Sequence, residues 1–288
     1  MCPPPDQPVR SVEPLPQALL TYLEPDTVRA RFLHDGVSYH YVWTPRGPWA
    51  VHLLRLDLER CDLGLAVLPA GNNEPSDPGL ATVSALVDAG GDRVLAAVNG
   101  DFFTPEGRPV GPEVADGLLL RSRARPALSW RPGGDPWIGT SGVGQGGLEA
   151  GFWISRDQNV SAQVVGGFPE LLDRGSAVMG LELNATQRFA GFRHPRTAVG
   201  YDPTGGRIWL FVVDGRQGAY SSGMTLVELT EALSAAGATE GLNLDVGGST
   251  VMIVEGVALS HPSDEKGERA VRNALAIVAE TAYCRVAR

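Results

Sequence analysis

Apolar residues fall mostly into short runs that partly alternate with polar positions and stop at Gly, Pro or acidic turns. Such runs, rich in β-branched, aromatic and Leu residues, predict strands. Residues 37–43, 49–58 and 63–68 read as an antiparallel meander. RVLAAVNG is a buried strand that runs into a loop, and residues 197–201 and 207–213 predict a hairpin across Asp202-Pro203-Thr204-Gly205-Gly206. GLNLD and STVMIVEG predict strands on either side of Gly247-Gly248, and the apolar run 270–278 predicts another.

Helical spacing is rarer. Residues 81–89 place Val83, Leu86 and Val87 on one face and end at Gly90-Gly91. The best helix starts at Thr225: Glu228 three residues on makes a capping box, Leu226, Leu229, Leu233 and Ala236 share a face, and Gly237 stops it. Strands outnumber helices and hairpin signals outnumber crossovers. The expected class is therefore α+β, a single domain of mixed, mainly antiparallel β-sheets with a few flanking helices. Residues 1–27 read as a proline-rich N-terminal tail or strap with a short helix at 17–22, ahead of a folded domain at 28–288. Residues 104–150, dense in Gly, Pro and Arg, read as a long excursion with short strands at 117–121 and 127–130, covering a pocket as a lid.

Composition narrows the classes. A net charge of −9 argues against a nucleic-acid surface. No window reaches the length of a membrane helix, and the N-terminus has no apolar signal core. Cys2 beside Met1, ahead of a Lys-free, Pro-rich stretch, would suit a lipid anchor. Cys61 and Cys284 could pair in an exported protein or stay as two buried thiols.

Polar residues gather where buried runs end. Asn99-Gly100-Asp101 follows LAAV, Arg196-Thr197 precedes AVGY, Asp214-Gly215-Arg216 follows IWLFVV, and Asp245 leads through Val246 into Gly247-Gly248-Ser249-Thr250 after LNL. A strand end next to Gly holds a carboxylate on a rigid support and leaves amides open to a ligand. Convergence of these ends would give a pocket in which Arg196 and Arg216 grip an anion bidentately, with an amide nest at Gly247, Gly248 and Ser249. Asp101, Asp214 and Asp245 supply carboxylates enough for an acid and a base or nucleophile. Alternatively, clustered carboxylates, Asp101 and Asp245 among them, with the amide oxygen of Asn99, could bind Ca²⁺ or Mg²⁺. No cofactor is required by this reading.

Taken in order, VNGDFF, RTAVGYD, WLFVVDGRQ, the long run ending LNLDVGGSTVM, and RAVRNALAI resemble the phosphodiester glycosidase family over residues 94–278. Arg269 and Asn273 fall on its closing Arg-x-x-x-Asn element. The resemblance implies hydrolysis of a sugar joined through its anomeric oxygen to a phosphodiester, with α-GlcNAc as one candidate sugar. It also implies an exported enzyme acting on an envelope or extracellular glycan. Asp101, Asp214 and Asp245 are then the catalytic candidates. Asn99, Arg196, Thr197, Arg216, Gly247, Gly248, Ser249, Thr250 and Asn273 would bind substrate, Asn99 through a sugar hydroxyl. The rivals are a non-catalytic protein that binds anionic glycans and a metal-dependent phosphodiesterase attacking phosphorus. The chain departs from the family pattern at Asp101, an added carboxylate, and at Val246. A Val there cannot easily take a positive φ, so the turn after Asp245 must start extended.

Overall fold

A computed structural model describes residues 12–71, 79–144, 147–149, 162–181 and 186–286. The strands are β1 Thr27–His34, β2 Val37–Thr44, β3 Trp49–Asp57, β4 Leu63–Pro69, β5 Val94–Asn99, β6 Glu113–Ala115, β7 Leu118–Arg121, β8 Arg125–Trp130, β9 Trp137–Gly144, β10 Gly147–Glu149, β11 Gln163–Gly166, β12 Glu170–Asp173, β13 Ser176–Ala177, β14 Arg196–Asp202, β15 Arg207–Val213, β16 Glu240–Asn243, β17 Met252–Val254, β18 Val257–Ala258 and β19 Asn273–Ala279. The helices are α1 Gln17–Leu23, α2 Val83–Gly90, α3 Gln187–Gly191, α4 Leu226–Ala235 and α5 Tyr283–Val286. Three sheets form, in the orders β1-β2-β3-β15-β14-β16-β12-β13, β10-β9-β8-β11-β6-β7 and β18-β17-β5-β19-β4. Among the described residues every ladder is antiparallel, which agrees with the expected α+β class.

The largest sheet buries both faces. One packs Leu54, Leu56, Leu210 and Val212 against Leu65, Ala96, Val98 and Leu275 of the five-stranded sheet. The other packs Leu53, Phe211 and Val213 against Leu226, Leu229 and Leu233 of α4. The predicted capping box is present: Thr225 Oγ1 accepts the Glu228 N–H at 3.1 Å, and the Glu228 carboxylate accepts the Thr225 N–H at 2.9 Å. Helix α1 joins this second core through Leu19 and Leu23, with Leu15 beside it, so residues 15–23 pack as a strap. No helix among the described residues is long and apolar enough to cross a membrane. Cys61 and Cys284 are joined, tying the β3–β4 turn to α5.

One expectation is filled in and another changes. The segment 104–150 carries β6 to β10, with the expected short strands present as β7 and β8, and its sheet touches the site through Gly111. The strand expected from Ser249 starts only at Met252. Gly247 at φ 72° and the Thr250 N–H to Gly247 carbonyl bond turn the chain into a single 3₁₀ turn first. Val246 is extended, φ −130° and ψ 177°, as its β-branched side chain requires.

Candidate functional site

Antiparallel register carries the polar strand ends to one end of the two packed sheets. Arg196 opposes Val213, Ala198 opposes Asn243 and Ala274 opposes Asn99, so β14, β19, β15, β16 and β5 open or close side by side. The Asp245 N–H then donates to the Gly100 carbonyl at 2.9 Å, stitching the sheets together there. Asn99, Asp101, Arg196, Thr197, Arg216, Asp245, Gly247 to Thr250 and Asn273 gather at this end.

Asp101 is 1% exposed. Its main-chain N–H donates to Asn273 Oδ1 at 2.8 Å, and its Oδ2 accepts the Gly111 N–H at 2.6 Å. A β-carbon at Gly166 or Gly111 would stand 2.6 or 2.9 Å from that oxygen, so both positions need Gly. Oδ1 is buried without a partner. Burial, against the pull of the Gly111 amide and of Arg125, raises its pKa to about 7. The Arg125 stem crosses to Gly167, its Nε donating to that carbonyl at 3.2 Å, and its guanidinium lies over Phe168.

Asp245 is only partly exposed, and burial raises its pKa to about 6. Val246 N–H donates to it at 2.8 Å, and Ser249 and Arg269 favour its ionised form. The Ser249 hydroxyl is buried and turned toward Asp245, and Thr250 Oγ1 is buried without a hydrogen-bond partner. The Asp245 charge adds to the rise at Asp101. Their surroundings push the two carboxyls to different values, a condition for one to hold a proton while the other is ionised.

The anion grip takes another form from the one expected. Arg196 is fully buried: Nε donates to the Met224 carbonyl at 2.8 Å, and Nη2 donates to the Phe189 and Phe192 carbonyls at 2.6 and 3.2 Å. Only Nη1 is unspent, so this guanidinium cannot fork onto a ligand as placed. Burial lowers its pKa to about 9. Arg216 is exposed, left-handed at φ 60°, and its Nη2 would stand 2.9 Å from a β-carbon at Gly247. Backbone strain at an exposed cation over a glycine turn fits an anion-binding position. Gly247 donates its own N–H to the Pro195 carbonyl at 3.1 Å, which removes one amide from the expected nest. At Gly248 a β-carbon would overlap the Asp264–Arg269 ion pair.

Asn99 is also spent internally. Its Nδ2 donates to the Asp245 carbonyl at 2.7 Å, and its Oδ1 accepts Thr197 Oγ1 at 2.6 Å and the Val251 N–H at 3.2 Å. It and Thr197 are joints of the site, not contacts for a sugar hydroxyl. Asp214 faces elsewhere. It is 1% exposed and takes His52 Nε2 at 3.1 Å, Tyr220 Oη at 3.1 Å and the His261 N–H at 2.9 Å. His52 and His261 were missed in the sequence; the available signal for His52 was a lone polar residue inside the apolar run Trp49 to Leu54. Among the described residues, three carboxylates close enough to share an ion occur at Glu170, Asp173 and Glu240, away from Asp101 and Asp245.

The phosphodiester glycosidase family model matches residues 92–278. The mouse and bovine N-acetylglucosamine-1-phosphodiester alpha-N-acetylglucosaminidases are 28% and 29% identical to this chain, over 68% and 66% of it. The chain spans about two fifths of their length, 38% of each. Among solved structures, the zebrafish catalytic domain of that enzyme, auto-inhibited by its pro-peptide, superposes with TM-score 0.64 at 21% identity, over 88% of this chain and 83% of that one. A hypothetical protein from Synechocystis gives TM-score 0.66 at 18% identity, covering 88% and 64%. A putative exported protein from Burkholderia pseudomallei gives 0.62 at 21%, covering 81% and 74%. These likenesses establish the shared fold.

Proposed function

Since the chain belongs to the phosphodiester glycosidase family, we propose that it hydrolyses a sugar-1-phosphodiester at the bond between the anomeric carbon and its oxygen. The observation that carries this reading is geometric: Asp101 and Asp245 are two carboxyls at strand ends joined by the Asp245 N–H to Gly100 carbonyl bond, with the Arg216 guanidinium against Gly247 two residues on, and burial raises the pKa of both. Burial raises both carboxyls, and Asp101, the more enclosed, also carries the raising effect of the Asp245 charge, so it is the one that holds a proton longer. Asp245, the more open of the two, acts on the anomeric carbon as base toward water or as nucleophile. The carbon–oxygen bond breaks, its electron pair leaves on the phosphate monoester, and water supplies the hydroxyl of the freed sugar. Arg216 stabilises the departing charge. A phosphate monoester leaves readily, so anion stabilisation outweighs proton donation to it. Asp101, enclosed by Gly111 and Gly166, acts through Asp245 as a positioning and proton-holding residue.

The first sugar to test is α-GlcNAc, because the mouse and bovine relatives are named for it. An envelope or extracellular glycan as substrate draws support from the Cys61–Cys284 disulfide, which calls for an oxidising compartment, and from the fold shared with the putative exported protein from Burkholderia pseudomallei.

The test is release of free GlcNAc from a methyl phosphodiester of α-GlcNAc-1-phosphate in ¹⁸O water, with wild type beside Asp245→Asn and Arg216→Ala. Free GlcNAc beside methyl phosphate that carries no label, with release lost in Asp245→Asn, supports the proposal. Label in phosphate would mean attack at phosphorus and overturn it. Absence of release would remove GlcNAc as the sugar.

A further inference from the structure

A separate cleft opens on the rim of the eight-stranded sheet, and the proposed hydrolysis does not use it. Its volume is about 570 Å³. Strand register builds one side: Thr27 opposes Trp43, Arg29 opposes Tyr41 and Arg31 opposes Tyr39. With a side-chain period of two, these six residues share a face, and all of them line the cleft. His52, Tyr220, Leu259 and His261 complete the lining.

A chain of hydrogen bonds fixes the polar groups. Tyr39 Oη lies 2.8 Å from His52 Nδ1, and His52 Nε2 lies 3.1 Å from Asp214 Oδ2. Tyr220 Oη donates to the same carboxylate oxygen and lies 3.1 Å from His261 Nδ1. Trp43 Nε1 donates to the Tyr220 carbonyl at 3.0 Å, which sets the indole. His52 is 1% exposed and Tyr39 is 8% exposed, so the polar base of the cleft is built into the core. Rings held in this way lose little freedom when a ligand arrives.

Aromatic faces beside fixed hydroxyls and imidazoles suit a ligand with an apolar face and a polar edge, as a pyranose has. A wholly apolar ligand would strip water from Tyr220 and His261 and return no hydrogen bond. The charge at the rim is positive. Arg29 is exposed, and Arg31 is shared with Glu255. We propose that this cleft is a sugar subsite separate from the Asp101–Asp245 pair, and that it takes a pyranose bearing a carboxylate or a phosphate. Asp214 at its base is two residues from Arg216, and His261 at its edge is three residues from Asp264, which lies against Gly248.

Calorimetric titration of the full chain tests this with four probes: glucose 6-phosphate, glucuronate, glucose and inorganic phosphate. Both anionic sugars are expected to bind about tenfold or more tightly than glucose or phosphate, and Arg29→Ala and Tyr41→Ala each to weaken them about tenfold. Circular dichroism confirms that the variants are folded. If only one anionic sugar passes, the cleft keeps its assignment and its charge preference is identified. Phosphate binding as tightly as glucose 6-phosphate would reduce the cleft to an anion site and overturn the proposal. Glucose binding as tightly as the charged sugars, no binding of any probe at millimolar concentration, or binding unchanged in both variants would also overturn it. No probe is a diester, so failure here leaves the hydrolase reading standing, and absence of hydrolysis leaves this one standing.

Discussion

The side-chain oxygen of Asn273 accepts the main-chain N–H of Asp101 at 2.8 Å, across 172 residues of sequence. The first residue of β19 thereby sets where the loop after β5 begins. A β-carbon at Gly100 would collide with the same amide, so the turn and its receptor fit as one piece. Asn273→Ala leaves a buried N–H without an acceptor, at a cost of about 1–3 kcal/mol. Denaturant unfolding should show that loss, together with a fall in kcat of about tenfold or more as Asp101 shifts. Unchanged kcat would detach Asp101 from the reaction.

Much of this was legible in the sequence, for local reasons. The capping box at Thr225 and Glu228, the β14–β15 hairpin and the extended Val246 each follow from residues a few positions apart. The strand ends at Asn99, Arg196 and Asp245 announce a shared site because Gly and polar residues stop apolar runs there. What stayed hidden depends on pairings across the fold. Asp214 looked like a member of the same cluster, yet its partner His52 lies 162 residues away on β3. Arg196 looked like a ligand-gripping cation, but the carbonyls of Phe189, Phe192 and Met224 that consume it carry no sequence signal.

The Cys61–Cys284 bond closes a loop with a sequence separation of 223 residues. Removing it frees the unfolded chain and costs about 2–5 kcal/mol. Cys284→Ser should lower the thermal midpoint in non-reducing buffer, and reductant should lower that of wild type to the same level while leaving the variant unmoved. Equal midpoints for wild type with and without reductant would contradict a stabilising role.

Arg196 and Arg216 should separate in a stability-against-activity comparison. Arg196→Ala strands three carbonyls and opens a cavity in a fully buried place, so unfolding free energy should fall by about 3 kcal/mol or more. Arg196→Lys should recover little of it, because an ammonium cannot reproduce the guanidinium fork. Arg216→Ala should change stability by no more than about 0.5 kcal/mol, because the side chain is exposed and Ala keeps the same left-handed φ and the same β-carbon. Its kcat/KM on a glycosyl phosphodiester should nevertheless drop about a hundredfold. Equal activity in wild type and Arg216→Ala would move the anion grip elsewhere.

The raised carboxyls fix a sign for the pH dependence. Asp101 moves from 3.8 to about 7 and Asp245 from 3.8 to about 6, in both cases chiefly through burial. From about pH 4 to 7 the folded state therefore holds more protons at these groups than the unfolded chain. Their contribution to unfolding free energy declines as pH rises through that window and levels off above it. Other carboxylates and His40 titrate too, so the informative quantity is the difference between wild type and Asp101→Asn. The variant should gain on wild type as pH goes from 5 to 8, by an amount on the order of a few kcal/mol at most. In the same window kcat/KM should trace a bell whose limbs belong to the pair, centred between about 6 and 7, with Asp245 taking up a proton on the acid side and Asp101 losing its proton on the alkaline side. Asp101→Asn should remove the alkaline limb. A variant that keeps it would assign that limb to another group and leave Asp101 a structural acid only.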